Sequence, residues 1–420
     1  MKIDDGRAWP VQTTVVRAYF LANLGVYALV PVLGRLLADH ASAGPGLAGI
    51  GLSAFFGAAG VAALLVNPIL PRVSYRTGMA TGVGLSICGF GLLTFAREPV
   101  FVVGLLVVAG AGMSTHVLLG RVLVAESMAD DVERNRAYSA LAIAINLAGA
   151  FGPFVASALY RTTRVEALLT AVVVCHAVSM AILLRHLPPA LRPQASAVRW
   201  PLSKVTIGRI ARDSRGIRTM VLAFVTTFVY AQFYSAFALS VAKELDSAFG
   251  RALLLSGPAI AIVIGQRLIT ARVGRRLARG TAPVELLAWS GLAFAAAVLI
   301  LGVGLPFPVA AGAAVAMFAA AEMVFTPIMS TAFAALPTES KLEAMNLRGI
   351  SWTIAESSGS FIGGTVFLAL RTDGHGHVYW LVLATAGAVI TLVAWPRRQR
   401  ATPPGPAAQP RVPAPTGVKP

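Results

Sequence analysis

Two glutamates stand inside runs that are otherwise apolar: Glu322 in AAAEMVFTPIMSTAFA and Glu356 in GISWTIAESSGSFIGG. Of the 18 acidic residues, the others sit at run ends, in connecting stretches or in the tails. Desolvation favours the neutral form of a carboxyl, the property a group needs to load and release a proton near physiological pH. A charge at the centre of a bilayer costs about 2.5–3.5 kcal/mol on insertion scales, so a carboxyl kept there marks a functional position facing a cavity. The chemistry indicated is proton coupling by Glu322 and Glu356, with a structural hydrogen bond to a neighbouring helix as the plainer alternative for each.

Polar aromatics recur at helical spacing in three of the apolar runs. Tyr19, Asn23 and Tyr27 repeat every four residues and share one helix face. Tyr230 and Tyr234 do the same further along, with Gln232 and Phe233 beside them, and Trp352, Glu356 and Ser360 form a third stripe. Rings with a polar tip beside an acid suit an amphipathic, cationic solute. Packing between helices competes with that reading for each aromatic alone. As a set they outline a cavity lined by Asn23, Tyr27, Tyr230, Gln232, Tyr234 and Trp352. His116 and His176 lie in apolar runs, where a hydrogen bond to a nearby helix is the expected role. Cys88 and Cys175 also lie in apolar runs and give neither a disulfide framework nor a metal site. With no phosphate-cradling Gly-x-x-x-x-Gly-Lys sequence and no nucleophile beside a base, the chain reads as neither ATP-driven nor an enzyme, and no cofactor is implied.

The elements that must position these groups follow from composition. With 56% hydrophobic residues, 13% charged residues and a mean hydropathy of +0.73, the apolar surface is too large for a water-soluble core. The sequence offers about twelve runs near bilayer-spanning length, at 14–36, 47–70, 79–96, 101–123, 137–160, 166–185, 217–241, 252–271, 283–303, 307–335, 346–369 and 377–395. Backbone groups find no water partner in lipid, so each run is expected to be an α-helix, and the fold class is an all-α membrane protein. The first run has no cleavage pattern and reads as a retained helix. With the N-terminus inside, all Lys and Arg except Arg35, Arg97, Arg161, Arg164, Lys243, Arg251 and Arg371 fall on the cytoplasmic side. That bias places both termini in the cytoplasm of a multi-pass plasma (inner) membrane protein. It also accounts for most of the net charge of +17 without nucleic acid as a partner.

The chain repeats its own plan. NRAYSALAIAINLAGAFGPFVA at 135–156 is echoed by NLRGISWTIAESSGSFIGGTVF, an offset of 212 residues that puts Arg136 on Arg348 and Gly152 on Gly364. RVSYR at 72–76 recurs as RVGRR at 272–276. Two echoes at nearly one spacing indicate two similar six-helix bundles, 1–185 and 216–396. They are joined by a basic loop at 186–215 and followed by a Pro-rich tail at 397–420 that is expected to be disordered. The loop reads as a solvated tether; alternatively its second part forms an amphipathic helix with Trp200, Val205, Ile207 and Ile210 toward lipid.

Two six-helix halves, a basic central loop and a short loop between spans 2 and 3 resemble the major facilitator superfamily of secondary transporters, and the similarity covers nearly the whole chain. Its span 2–3 motif survives in part as PRVSYRTGMA: Ser74, Arg76 and Gly78 are kept, while Tyr75 stands where the family has an acid. In the family that acid and its arginines help lock the cytoplasmic side shut. The resemblance thereby assigns Arg72, Arg76 and Gly78 to gating. LAGAFGPFVAS is similar to the Gly-Pro-x-x-Gly-Gly pattern of antiporters in the superfamily and assigns Gly152 and Pro153 to the same role, with Arg136 and its echo Arg348 beside them. The family's arginine in span 4 is absent, with Leu106 in its place. AAAEMVFTP resembles a Gly-Glu-x-x-x-x-Pro pattern of bacterial efflux members, with Glu322 and Pro327 kept. The resemblance implies a monomeric transporter of small molecules that rocks its halves about a mid-membrane site, exporting a drug or metabolite in exchange for protons. Proton-coupled uptake is the alternative within transport, and a membrane-embedded sensor or scaffold the alternative outside it.

Overall fold

The computed structural model describes residues 5–40, 72–159, 165–193 and 203–395, with single positions between 54 and 69. Expectations for the span over 47–70, for Trp200 and for the tail fall largely or wholly outside the described residues. All described secondary structure is helical: α1 (Asp5–His40), α2 (Tyr75–Leu92), α3 (Pro99–Ser127), α4 (Asp131–Leu159), α5 (Val165–His186), α6 (Lys204–Arg212), α7 (Ser214–Gln232), α8 (Ala238–Glu244), α9 (Ala248–Ala278), α10 (Pro283–Gly302), α11 (Phe307–Ala334), α12 (Lys341–Thr372) and α13 (Gly376–Val393). Among the described residues, eight helical stretches are long and apolar enough to cross a membrane. α1, α2 and α12 are not among them.

Helix ends follow local chemistry. Ser74, Ser203, Ser247 and Ser340 each accept a hydrogen bond from the backbone N–H three residues on, and Asp213 caps α7 in the same manner. Proline opens α3, α10 and α11, where its missing N–H has no helical partner to lose. Between α7 and α8 the chain makes a π-helical turn, Phe233–Phe237. That turn adds a residue and shifts the register of α8 relative to α7, a feature that periodicity does not reveal.

Packing divides the helices into two groups. α1 lies against α4 and α5, and α2 against α3 and α5; α7 lies against α10, α12 and α13, and α11 against α9 and α10. The closest approaches within each group use glycine. A Cβ on Gly152 would lie 2.5 Å from the backbone carbonyl carbon of Tyr27, and one on Gly359 would lie 2.7 Å from the carbonyl oxygen of Phe228. Each contact joins the first helix of its group to the helix bearing the repeated motif, so the sequence echo is also an echo in packing. The groups meet through α4 against α9 and α11, and α3 against α12.

The segment before α7 departs from a solvated tether. α6 is amphipathic, but Thr206 and Ile210 are buried while Val205 and Ile207 are exposed, so Ile210 turns inward rather than to lipid. The anchor is Glu343, 3% exposed, whose carboxylate accepts from Ser203 N at 2.6 Å, Thr206 Oγ1 at 2.7 Å and Glu339 N at 3.0 Å. One acid thus ties the start of α6 to the start of α12.

Two stability outcomes are expected from these contacts. Gly152→Ala forces α1 and α4 apart and is expected to cost about 1–3 kcal/mol by overpacking. Gly312→Ala, where a Cβ meets nothing within 4 Å, is neutral or stabilising; thermal unfolding in detergent ranks the two. Glu343→Ala leaves the buried Thr206 hydroxyl and the part-buried Ser203 and Glu339 N–H groups at the α6–α12 junction without their acceptor. It is expected to lower stability by about 1–3 kcal/mol per unsatisfied group and to open the linker to protease, read by limited proteolysis.

Candidate functional site

Glu322 and Glu356 sit near the midpoints of α11 and α12, deep in their helices. Glu322 is 6% exposed, faces the Tyr230 side chain, and has an Oε2 with no hydrogen-bond partner. Glu356 is half-buried and accepts from Trp352 Nε1 at 2.7 Å. The i, i+4 spacing on α12 makes that bond possible.

An aromatic box surrounds the acids. Trp352 stacks on Phe325 with ring centroids 5.7 Å apart and tilts against Tyr230 at 5.2 Å; Tyr230 in turn stacks on Phe318 at 5.4 Å. The Tyr230 hydroxyl donates to Tyr234 at 3.2 Å, the latter placed by the π turn. Tyr27 of α1 comes within electrostatic reach of both glutamates and of Tyr234. Tyr234 is 56% exposed and Tyr27 37%, so the box is open along one side. The structure therefore brings together Glu322, Glu356, Tyr27, Tyr230, Tyr234 and Trp352 from both helix groups. A buried carboxyl oxygen without a partner beside hydroxyls and π faces can accept a proton or a donor of a visiting solute.

Other expected members lie elsewhere. Gln232 is fully buried and spends its amide on packing, donating to Phe228 O at 3.1 Å and Gly359 O at 2.9 Å and accepting from the Tyr379 hydroxyl at 2.6 Å. Asn23 donates to Tyr19 O within its own helix at 2.8 Å. Tyr19 is fully buried against α3, with its hydroxyl on Val117 O, so the α1 stripe contributes only Tyr27. His116 is likewise fully buried, but neither ring nitrogen has a hydrogen-bond partner; it packs against the Tyr19 ring at 5.0 Å instead of bonding to a neighbouring helix.

Of the gating candidates, Arg72, Arg76, Gly78 and Arg136 lie near the helix ends that carry most of the basic residues, whereas Gly152 and Pro153 lie toward the other end of α4. Arg72 is exposed, Arg76 half-buried, and Gly78 lets Leu119 approach to 2.5 Å of where its Cβ would be. Tyr75 is 1% exposed, and its hydroxyl donates to Glu126 Oε2 at 2.6 Å. The acid missing from the loop is thus supplied by α3, a replacement that a linear motif cannot show. Across the groups, Tyr138 Oη approaches Met345 Sδ at 3.8 Å. Lys341 donates to Ala334 O; burial and the nearby Arg134 hold its pKa below the usual lysine value, while Asp131 and Glu126 act against that. Gly152 serves the α1–α4 contact and Pro153 follows it in α4.

The repeated arginines differ sharply. Arg136 is exposed and lines a cavity of about 770 Å³ between α4 and α9 with Arg267 and Arg275, whereas Arg348 is 3% exposed beneath Trp352. Arg267, exposed in that cavity, makes no ion pair with Glu322.

The same architecture occurs in solved transporters. The structure is similar to the human organic anion transporter MFSD10 (TM-score 0.70, 17% identity, 92% of this chain and 98% of that one). It is also similar to the transporter FucP in its outward conformation (TM-score 0.68, 17% identity, 91% and 97%). A bacterial homologue of the iron transporter ferroportin in an outward-facing state matches as well (TM-score 0.68, 14% identity, 92% and 100%). No curated protein sequence matches significantly. The family model described as Major Facilitator Superfamily matches residues 16–355, and on that match, with an all-α membrane fold to bear it out, the chain belongs to the Major Facilitator Superfamily.

Proposed function

We propose that this secondary transporter exports a small organic molecule in exchange for protons, with Glu322 and Glu356 as the proton carriers and Tyr27, Tyr230, Tyr234 and Trp352 as the solute-facing wall. The observation that carries this reading is that α11 and α12 deliver two carboxyls, at mid-helix depth, to one aromatic box that α1 of the other group also reaches. Protonation of Glu322 neutralises a buried charge and releases its grip on the neighbouring hydroxyls, so proton and solute compete for one set of groups. With the basic end in the cytoplasm, contacts such as Tyr138–Met345 close the inner side. Opening there and closing opposite is the alternating-access step. Arg72, Arg76, Gly78, Arg136, Gly152, Pro153 and Arg348 belong to that hinge and gate. Export is favoured by the resemblance of LAGAFGPFVAS to the antiporter pattern.

Two assays test it. In proteoliposomes with an imposed pH gradient, Glu322→Gln and Glu356→Gln are each expected to reduce gradient-driven flux to background while solute counterflow persists. Flux with unchanged pH dependence in both variants would remove the proton role. In cells, export predicts lower solute accumulation with the protein present and energised; higher accumulation, abolished when the proton gradient is collapsed, means uptake.

A further inference from the structure

Arg348 is a cation without a counter-ion. It lies 3% exposed in α12, its Nε is buried without a hydrogen-bond partner, and it makes no ion pair among the described residues. Its guanidinium carbon sits 5.2 Å from the centroid of the Trp352 ring, the inner edge of the aromatic box. A cation–π contact of this kind gives about 2 kcal/mol when desolvated. That falls short of the several kcal/mol that burial of an unpaired charge costs.

The surroundings add to the deficit. The charge that opposes Arg348 most strongly is Arg121, which reaches it from α3 in the other helix group. Arg121 is half-buried and also makes no ion pair among the described residues. Around the two arginines stand Tyr19 of α1 and Tyr138 of α4, whose hydroxyls are already donated to the carbonyls of Val117 and Arg121. The acid nearest in electrostatic terms is Glu356, on the far side of Trp352 and two helical turns away. At 1.5 Å rise per residue it lies about 12 Å along the axis.

We propose that the Arg348–Arg121 pair receives the carboxylate of the transported solute, whose apolar or aromatic body lies on Trp352 and Tyr230 toward Glu356. The solute class is then an amphipathic organic anion rather than the cation that rings beside an acid first implied. This deepens the transport reading and rests on it. Two arginines from opposite helix groups repel each other at the closed end until an anion bridges them, so the solute itself joins the halves where they must rock.

The test uses the purified full-length protein and monocarboxylates with one to three fused aromatic rings, each beside its primary amide and its amine. The expected result is binding, by thermal shift and equilibrium titration, that prefers the acid over its amide and amine. In Arg348→Gln that preference falls at least about tenfold, the loss of a charge-assisted hydrogen bond. Arg348→Lys restores part of it, and Arg121→Gln weakens it independently. Absence of any acid-over-amide preference in the wild type overturns the proposal. So does an Arg348→Gln variant that melts lower yet keeps the preference, because the arginine is then only structural. Gradient-driven flux is measured separately: a bound acid that is never moved sinks the transport reading and leaves the anion site standing. Flux of the amine or amide with no regard for the acid does the opposite.

Discussion

An ionisable side chain inside a helical bundle has few ways to satisfy itself, because the helices have already used their own backbone donors and acceptors. It must meet another side chain, lose its charge, or wait for a visitor. Glu356 takes the first course through Trp352 Nε1. Glu322 keeps one carboxyl oxygen unpartnered, and Arg348 keeps its Nε without a hydrogen-bond partner and has only the Trp352 ring over its guanidinium. Three groups on α11 and α12 thus stand around one aromatic box with three different degrees of satisfaction.

The geometry of that box depends on contacts far less polar than its contents. Gly152 seats the backbone of Tyr27, and Gly359 lets α12 lie on the backbone carbonyl of Phe228. Backbone-level contacts of this sort fix helices as rigid units, since no side chain can yield when they are strained. Across the groups, the Tyr138–Met345 approach is instead a meeting of side-chain tips. Tips can part without repacking a helix interface. Rigid bodies joined by soft contacts are what a rocking motion requires.

Much of this is legible in the sequence. The apolar runs locate most described helices to within a few residues, because a bilayer fixes their length and charges bound their ends. Four-residue spacing puts Tyr230 with Tyr234, and Trp352 with Glu356, on common helix faces but does not say which faces meet. Hidden from it is whatever depends on a partner distant in the chain. Tyr75 reads as the loss of an acid until Glu126 is seen opposite it, and Gln232 reads as a cavity residue until Gly359 and Tyr379 are seen holding its amide. The fold of α6 onto Glu343 belongs to the same class, since a basic Pro-interrupted stretch gives no hint of the acid 140 residues on. The π turn is hidden for another reason: one extra residue in a helix leaves the apolar pattern almost unchanged.

The duplicated halves have diverged in the direction of their chemistry. At the place equivalent to Glu356, 212 residues earlier, the first half has Ala144. Arg136 points to an open cavity, but its counterpart Arg348 is sealed beneath a tryptophan. Charge has therefore been concentrated in the second half, while the first supplies Tyr27 and Arg121 as single reaching groups. Under the proposed proton coupling, the second half would carry the protonation state and the first half would be the surface it closes upon. On the proposed reading, neutralising the charged half alters its hold on a solute without disturbing the helix pairs that both halves share.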